Sequence, residues 1–226
     1  NNNNVKKEYI LSDLVEINNN SGGSSAYLKC NYEETIGVDS KKGLSRAEKI
    51  FQNRMRDYFM ENGTTILDPE TVFFSYDTKI GKGVEIGSNI VIGENVIIED
   101  NVKIESFCSI EQSVIRENSI IGPFARLRNN VEVGKDSRVG NFVELKNTKL
   151  EKEVKISHLS YIGDAEIDVS TNIGAGTITC NFDGVDKHKT KIGKRAFIGS
   201  NSSLIAPITI GCLLYTSDAA DEPMRV

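Results

Sequence analysis

The sequence predicts a mainly β protein in which hexapeptide repeats build a parallel β-helix. Three observations lead to this prediction: an aliphatic residue recurs every six positions, a small or β-branched residue follows most of these by four, and the count persists over most of the chain. A period of six fits neither an amphipathic helix nor the simple alternation of a strand. The first run consists of Ile80, Ile86, Ile92, Ile98, Ile104 and Ile110.

The period of six corresponds to the flat sides of a triangular coil. Three hexapeptides make one coil, the aliphatic residue points inward, and residues such as Val84 and Ile90 fill the space beside it. Each coil pairs its backbone with the next, which buries a continuous apolar column. An ordinary β-sandwich is the alternative, but it would show turn signals about every 8–12 residues and would not keep a count of six.

Five-residue spacings shift the phase of the repeat without ending it. The later inward positions are Ile115, Ile121, Leu127, Val133, Val139 and Leu145, then Leu150, Ile156 and Ile162, then Ile167 and Ile173. The segment between Thr179 and Ile192 interrupts the count, which resumes at Ile198, Leu204 and Ile210. Because this interruption cannot fit a hexapeptide, we expect it to loop out of the solenoid.

The segment before the repeats predicts one helix, from about Ser45 to Glu61. Ser45 and Glu48 have the spacing of a capping box, apolar residues then recur at helical spacing, and Gly63 follows the end. Asp68-Pro69 is expected to turn the chain into the solenoid. Residues 1–43 are too few to form a core of their own.

Composition excludes several classes of protein. The chain has 226 residues, 38% of them apolar and 26% charged, with a net charge of −5 and no basic block. A nucleic-acid or anionic-membrane surface is therefore a poor hypothesis, and no apolar run has the length of a membrane span. The four cysteines are scattered, which favours a reducing compartment over a disulfide framework or a zinc site.

Both ends of the sequence have an unnatural pattern. The chain begins NNNNVKKEYI, without a methionine or a signal peptide, which indicates an internal fragment. Near the other end, CLLYTSDAADE breaks the count of six after Ile210, and its back-translation resembles transposon-end adaptor DNA. We interpret the natural sequence as ending at about Gly211, with a natural polar tail as the alternative.

The repeat count places one group of polar residues in a column. Arg126, Glu144 and Tyr161 precede inward residues of three consecutive coils, so they are expected to lie about 4.8 Å apart. Lys146 sits just beyond the same edge. A guanidinium, an ammonium and a phenol that converge in this way suit a phosphate group. The alternative is a solvated ladder of alternating charges.

His158, one of two histidines, lies three residues before Tyr161 and so near this column. Glu144 could hold its imidazole in one tautomer, which would suit general-base chemistry at neutral pH. The alternative is a structural histidine. The interruption after Thr179 offers Asn181, Lys187, His188 and Lys189 to a ligand, unless it is a tolerated surface insertion.

Five segments together resemble one family: IGPFARLR, VGNFVELKN, SHLSYIGDAEI, NIGAGTITCNFDG and FIGSNSSLIAP. From Val5 to about Gly211 the chain is similar to the bifunctional bacterial glucosamine-1-phosphate acetyltransferase / N-acetylglucosamine-1-phosphate uridyltransferase family. The resemblance implies a left-handed β-helix, an exception to the right-handed crossover rule, in a cytoplasmic homotrimer. It implies acetyl transfer from acetyl-CoA to the amine of glucosamine 1-phosphate, and then synthesis of UDP-N-acetylglucosamine for peptidoglycan and lipopolysaccharide precursors.

The resemblance also implies roles for single residues, with His158 as the base of acetyl transfer. The implied sugar-phosphate contacts are Arg126, Lys146, Tyr161, Asn172 and Lys187, and the implied acetyl-CoA contacts are Ala175, Asn181, Phe182 and Ser200. Phe182 stands where the family usually has a tyrosine, so a hydroxyl is missing. Asp39 stands where an asparagine helps to hold magnesium in the uridyltransferase half, and a carboxylate can still bind Mg²⁺.

The resemblance divides the chain into four expected segments. Residues 1–43 would be the remnant of an α/β uridyltransferase domain, 44–68 a linker with a helix, 69–211 a truncated acetyltransferase β-helix, and 212–226 a non-native tail. The family's glycine-rich nucleotide loop and its last coil are missing from this sequence. We therefore expect no uridyltransferase activity, an uncovered final coil, and impaired acetyl transfer.

Three other functions are known uses of a hexapeptide solenoid or fit its repeats. A zinc carbonic anhydrase would need three histidine ligands, whereas this chain has two histidines. Another acyltransferase, or a purely structural solenoid, would also keep the repeats. A structural solenoid would show flat, repetitive faces, but the irregularities here concentrate between residues 126 and 200.

Overall fold

A computed structural model describes residue 7 and residues 9–216, which divide into two compact units between Ile50 and Phe51. The first unit contains helix α1 (Asp13–Asn20) and a 3₁₀ turn (Tyr32–Glu34). None of the described residues 13–20 is buried, in line with a segment that has no core of its own. No helix in the described part of the chain is long and apolar enough to cross a bilayer.

Helix α2 (Lys41–Glu61) ends where the sequence predicts but begins four residues earlier. The Gly43 N–H donates to Ser40 Oγ at 3.0 Å, and the Leu44 N–H donates to the Ser40 carbonyl at 2.9 Å. The predicted capping box of Ser45 and Glu48 is therefore wrong, because both residues already lie inside the helix. Ser40 supplies the cap instead.

The second unit is a stack of short parallel strands. In chain order they are β1 (Thr65–Ile66), β2 (Val72–Phe74), β3 (Lys79–Ile80), β4 (Glu85–Ile86), β5 (Ile90–Ile92), β6 (Val96–Ile98), β7 (Lys103–Ile104), β8 (Ser109–Ile110), β9 (Ser113–Ile115), β10 (Ile120–Ile121) and β11 (Arg126–Arg128). They continue with β12 (Val131–Val133), β13 (Arg138–Asn141), β14 (Glu144–Leu150), β15 (Lys155–His158), β16 (Tyr161–Ile167), β17 (Asn172–Ile173), β18 (Ile178–Cys180), β19 (Thr190–Ile192), β20 (Phe197–Ile198), β21 (Ser203–Ile205) and β22 (Ile208–Ile210). A 3₁₀ turn, Pro69–Thr71, precedes β2.

The strand order and register confirm three hexapeptides per coil. One face is an eight-stranded sheet in the order β1-β4-β7-β10-β13-β15-β17-β20. The long strands β14 and β16 each run across a corner and join the other two faces into one sheet. Ile86 pairs with Ile104, eighteen residues later, which is the length of three hexapeptides.

The irregular spacings of the sequence change the length of single coils. Where a five-residue spacing occurs, the step shortens to seventeen residues, as between Val139 and Ile156 and between Ile156 and Ile173. The insertion before β19 lengthens the next step, so that Ile173 pairs with Ile198. The five-residue spacings and the insertion therefore change the length of corners and loops, and the strands stay in register.

The core is the apolar column that the repeat predicts. All the predicted inward residues from Ile86 to Ile210 are buried, and Ile80, in the first coil, is half-buried. The largest side chains with almost no exposure are Ile90, Ile92, Ile98, Ile104, Ile110, Ile115, Ile121, Leu127, Leu145, Leu150, Ile156 and Ile162. Burial of this column stabilises each coil against its neighbours.

The last coil continues further than the sequence analysis expects. The Phe197 N–H donates to the Leu214 carbonyl at 2.8 Å, the Thr216 N–H donates to the Phe197 carbonyl at 3.0 Å, and the Tyr215 ring stacks on Phe197. Residues 212–216 thus continue the backbone pairing of the last coil, although the count of six breaks after Ile210. The acidic part of the expected tail, residues 217–226, lies outside the described residues.

Candidate functional site

The predicted column is present on strands β11, β14 and β16. Arg126 pairs in register with Glu144, and Glu144 pairs with Tyr161. Their side chains face outward because the next residue in each strand belongs to the buried column. Two residues further along, Lys146 lies in register with Arg128.

Three cations meet beside this column: Arg128, Lys146 and Lys187. The pKa of Lys146 lies below its ordinary value, chiefly because of the adjacent Lys187 side chain, then because of desolvation and the charges of Lys187 and Arg128, while Asp164 opposes the shift. Like charges repel, so an arrangement that gathers three cations favours an anion between them. Arg128 was not among the residues predicted from the sequence, although strand alternation puts it on the same face as Arg126.

Tyr161 lies close to these cations because position 163 is a glycine. A Cβ atom on Gly163 would lie 2.5 Å from the Tyr161 hydroxyl oxygen and 2.9 Å from Asn181 Nδ2. Gly163 is also the register partner of Lys146. The missing side chain therefore leaves space for the phenol and the Asn181 amide beside the lysine.

A buried carboxylate anchors the loop that carries Lys187. Asp164 is 8% exposed and accepts hydrogen bonds from Asn147 Nδ2 and Asn181 Nδ2, each at 2.5 Å. Asn147 belongs to the preceding coil and Asn181 opens the loop. An ionised carboxylate only accepts hydrogen bonds, so both amides must turn their N–H groups toward it. Asp164 thus fixes the orientation of Asn181, a predicted acetyl-CoA contact.

The interruption after Thr179 forms a short hairpin. Phe182 and Lys187 make an antiparallel bridge, and the His188 N–H donates to the Asn181 carbonyl at 2.8 Å. Phe182, a predicted acetyl-CoA contact, is 59% exposed. The insertion loops out as predicted, and it brings Lys187 to Lys146.

His158 ends strand β15 with an exposed side chain, and its partner differs from the one proposed from sequence. Its Nδ1 lies 2.6 Å from Asn141 Oδ1. Glu144 instead accepts a hydrogen bond from Arg128 Nε at 2.7 Å, so the suggestion that Glu144 orients the imidazole is wrong. Because an amide oxygen only accepts, the Asn141 contact places the proton on Nδ1 and leaves Nε2 of the neutral ring unprotonated.

A second column runs through His158. Strand β15 pairs with β17, and β17 pairs with β20, through Ile156, Ile173 and Ile198. If this register is continued two residues past the paired strands, His158 falls in line with the predicted acetyl-CoA contacts Ala175 and Ser200. The Asn201 N–H donates to the Ala175 carbonyl at 2.7 Å, which supports this alignment.

Asn172 does not join the cation cluster within one chain. It pairs with Lys155 and Phe197 in the eight-stranded sheet, whereas Lys146 lies on strand β14 of the other sheet. Of the predicted sugar-phosphate contacts, the structure therefore brings together Lys146, Tyr161 and Lys187. Arg126 lies nearby with an exposed side chain.

The described residues offer little to a metal ion. Asp39 is exposed just before helix α2, and among the described residues no group of three or more His, Cys, Asp and Glu side chains could hold a metal. One carboxylate is too few for a Mg²⁺ site made by protein groups. The two histidines contact different partners, Asn141 and Asp183, which does not favour a shared zinc ion.

A wide groove lies elsewhere on the solenoid. It encloses about 490 Å³ and is lined by residues that include Glu166, Asp168, Lys191 and Cys212. Lys191 Nζ pairs with Glu166 Oε2 at 3.1 Å, so these charges neutralise one another. His158 and the three cations lie outside this groove, and their chemistry makes them the better candidate site.

Comparison with known proteins identifies the repeats. Residues 77–112 and 112–147 match the family described as bacterial transferase hexapeptide (six repeats). These repeats and the parallel coils fit a left-handed β-helix. The crystal structure of Francisella novicida UDP-N-acetylglucosamine acyltransferase is 18% identical, with a TM-score of 0.39, over 67% of this chain and 63% of that chain.

Curated relatives match almost the whole chain. Bifunctional protein GlmU of Zymomonas mobilis subsp. mobilis is 47% identical over 93% of this chain and 47% of the relative. GlmU of Chelativorans sp. is 52% identical over 92% of this chain and 46% of the relative, and GlmU of Rhizobium rhizogenes is 50% identical over 97% and 48%. The chain thus spans about half the length of these relatives.

Proposed function

Because the chain is homologous to about half of the bifunctional GlmU proteins, we propose that it transfers acetyl from acetyl-CoA to the amine of glucosamine 1-phosphate. The observation that carries this proposal is the cluster of Arg128, Lys146 and Lys187 beside Tyr161, which follows His158 by three residues across one corner of the same coil. A cation cluster suits the phosphate, and an imidazole with an unprotonated Nε2 suits removal of an amine proton.

The chemistry assigned to His158 is general-base catalysis. The amine nitrogen attacks the thioester carbonyl carbon, a C–N bond forms, and the C–S bond breaks. His158 Nε2 takes the proton that the nitrogen loses, and that proton then passes to the departing thiolate of CoA. Asn141 holds Nδ1–H, which keeps the lone pair of Nε2 available for this transfer.

The phosphate is assigned to Lys146, Lys187 and Arg128, with Arg126 at the edge of the same column. Charge-assisted hydrogen bonds from these groups would hold phosphate oxygens, and the Tyr161 hydroxyl can donate one more. Glu144 keeps Arg128 in place through the 2.7 Å contact. This recognition should separate phosphorylated from unphosphorylated sugars.

Acetyl-CoA is assigned to the column of Ala175 and Ser200 and to the loop residues Asn181 and Phe182. The alignment of Ala175 and Ser200 with His158 supports this assignment, since the thioester must reach the base. Phe182 offers an exposed aromatic face without a hydroxyl. The impaired acetyl transfer expected from the sequence stays a prediction.

We assign Asn172 to a site completed by another copy of the chain, in a cytoplasmic homotrimer. Within one chain Asn172 and Lys146 lie on different sheets of the solenoid, which supports a contribution across a subunit interface. The parent enzyme would make UDP-N-acetylglucosamine, with Mg²⁺ serving only its uridyltransferase half. Sedimentation equilibrium tests the assembly: a trimeric mass is expected, and a monomer at micromolar concentration would contradict it.

The acetyl transfer itself is tested by release of the CoA thiol. Glucosamine 1-phosphate should support thiol release by this chain above the rate without sugar, and His158→Ala should abolish the increase. His188→Gln is the matched control, because it removes the other histidine and keeps a hydrogen-bond donor near the position of Nε2. Thiol release that does not depend on the sugar would contradict the proposal. So would a sugar-dependent increase in the His158→Ala variant equal to that of the unchanged chain.

A further inference from the structure

The hairpin that carries Lys187 is built around one aspartate. Asp183 Oδ1 accepts the backbone N–H groups of Val185 at 2.8 Å and Asp186 at 2.7 Å. Its other oxygen, Oδ2, lies 2.6 Å from His188 Nε2. The pKa of Asp183 lies well below its usual range, first because of the His188 hydrogen bond and then because of the two backbone amides. One carboxylate thus joins the turn to the second strand of the hairpin.

The hairpin is anchored at its two ends, where Asn181 donates to Asp164 and Lys189 pairs with Glu166, but its outer part is exposed. The residues from Phe182 to Lys187 are exposed, so apolar burial does not anchor them. A two-stranded hairpin is marginally stable by itself in water. Lys187 also sits beside Lys146, and these two like charges repel each other. A further contact is needed to keep Lys187 in place before an anion binds.

We propose that the Asp183–His188 pair is a latch that positions Lys187 against Lys146 and thereby sets the affinity of the cation cluster for the substrate's phosphate. This inference rests on the proposed function, in which the cluster binds that phosphate. Asp183 and His188 contact each other and the hairpin backbone, so they act as positioning residues through Lys187.

Two substitutions in the same turn distinguish the loss of the Asp183–His188 contact from the loss of one negative charge. Asp183→Asn and Asp186→Asn each remove one negative charge, but only the first weakens the contact with His188. Charge alone predicts that both variants bind anions more tightly. The latch predicts that Asp183→Asn binds glucosamine 1-phosphate and inorganic phosphate about threefold to tenfold more weakly, measured by calorimetry.

The other half of the latch gives a rescue test. His188→Ala should weaken binding by a similar factor, whereas His188→Gln keeps a donor near the position of Nε2 and should stay within about twofold. In turnover, Asp183→Asn should raise the KM for glucosamine 1-phosphate and leave the KM for unphosphorylated glucosamine unchanged. A merely structural role would not produce this separation.

A double-mutant cycle with Lys187→Ala decides whether the latch acts through Lys187. Asp183→Asn should cause no further loss of phosphate affinity in the Lys187→Ala background. An equal loss in both backgrounds, or equal behaviour of Asp183→Asn and Asp186→Asn, would overturn the latch while phosphate binding stands. Failure of the unchanged chain to bind either ligand would overturn the phosphate assignment, and the latch with it.

Discussion

Replacing Arg128 with alanine should weaken glucosamine 1-phosphate far more than replacing Arg126. Arg128 lies in register with Lys146, and its charge contributes to the lowered pKa of that lysine. Arg126 lies two residues earlier, opposite Glu144, with an exposed side chain. The two arginines occupy one strand and carry one charge each, so they form a matched pair.

The expected magnitude follows from the contacts of Arg128. A hydrogen bond to a charged group contributes about 1.5–3 kcal/mol. Because Arg128 is partly exposed, its bond to the phosphate should lie at the lower end of this range. Its removal also leaves Glu144 without the partner 2.7 Å away, which adds a repulsive charge near the phosphate. We expect a loss of about tenfold to a hundredfold for Arg128→Ala and less than about threefold for Arg126→Ala.

The assay is the KM of each variant for glucosamine 1-phosphate, with unphosphorylated glucosamine as the control. Arg128→Ala should leave the KM for the unphosphorylated sugar unchanged, and acetyl-CoA should bind as before. A larger loss for Arg126→Ala than for Arg128→Ala would refute the reasoning from register. Equal losses on both sugars would show that Arg128 supports the fold and does not contact the phosphate.

Three further predictions concern the base, the core and a cysteine. His158→Ala should lower kcat by roughly 10²–10⁴ with little change in KM, and a loss below about threefold would remove His158 from the mechanism. Leu145→Ala, at a fully buried site between Glu144 and Lys146, should lower the free energy of unfolding in urea by about 2–5 kcal/mol; an unchanged midpoint would contradict the packing. Burial raises the pKa of Cys108 to about 11, so it stays a neutral thiol at about pH 8, and a thiol reagent should modify exposed Cys30 and Cys212 first. Mass spectrometry of the peptides measures the order of modification, and modification of Cys108 before Cys30 and Cys212 would contradict the prediction.

The spacing of six residues predicted the solenoid because every coil repeats the same pattern, an inward aliphatic residue at every sixth position. The same count aligned Arg126, Glu144 and Tyr161, since strand register follows directly from residue number. The helix start was mispredicted because Ser40 and Ser45 both suit a cap, and the flanking residues do not choose between them.

The partner of His158 could not be read from the count alone. Glu144 and Asn141 lie in the same preceding coil, and a corner separates the strands that they occupy. His158 ends the strand that pairs with Asn141, so its side chain points to that face, while Glu144 turns toward Arg128. Side-chain choices at corners depend on backbone direction, which residue spacing does not specify.

Competition between two sugars tests the central claim most directly. The chain would be mixed with isotopically labelled acetyl-CoA and equal concentrations of glucosamine 1-phosphate and glucosamine, and the products would be quantified by mass spectrometry. The proposed site predicts label on the phosphorylated sugar in at least about tenfold excess, because only that sugar contacts the cation cluster. Equal labelling of the two sugars would contradict the account.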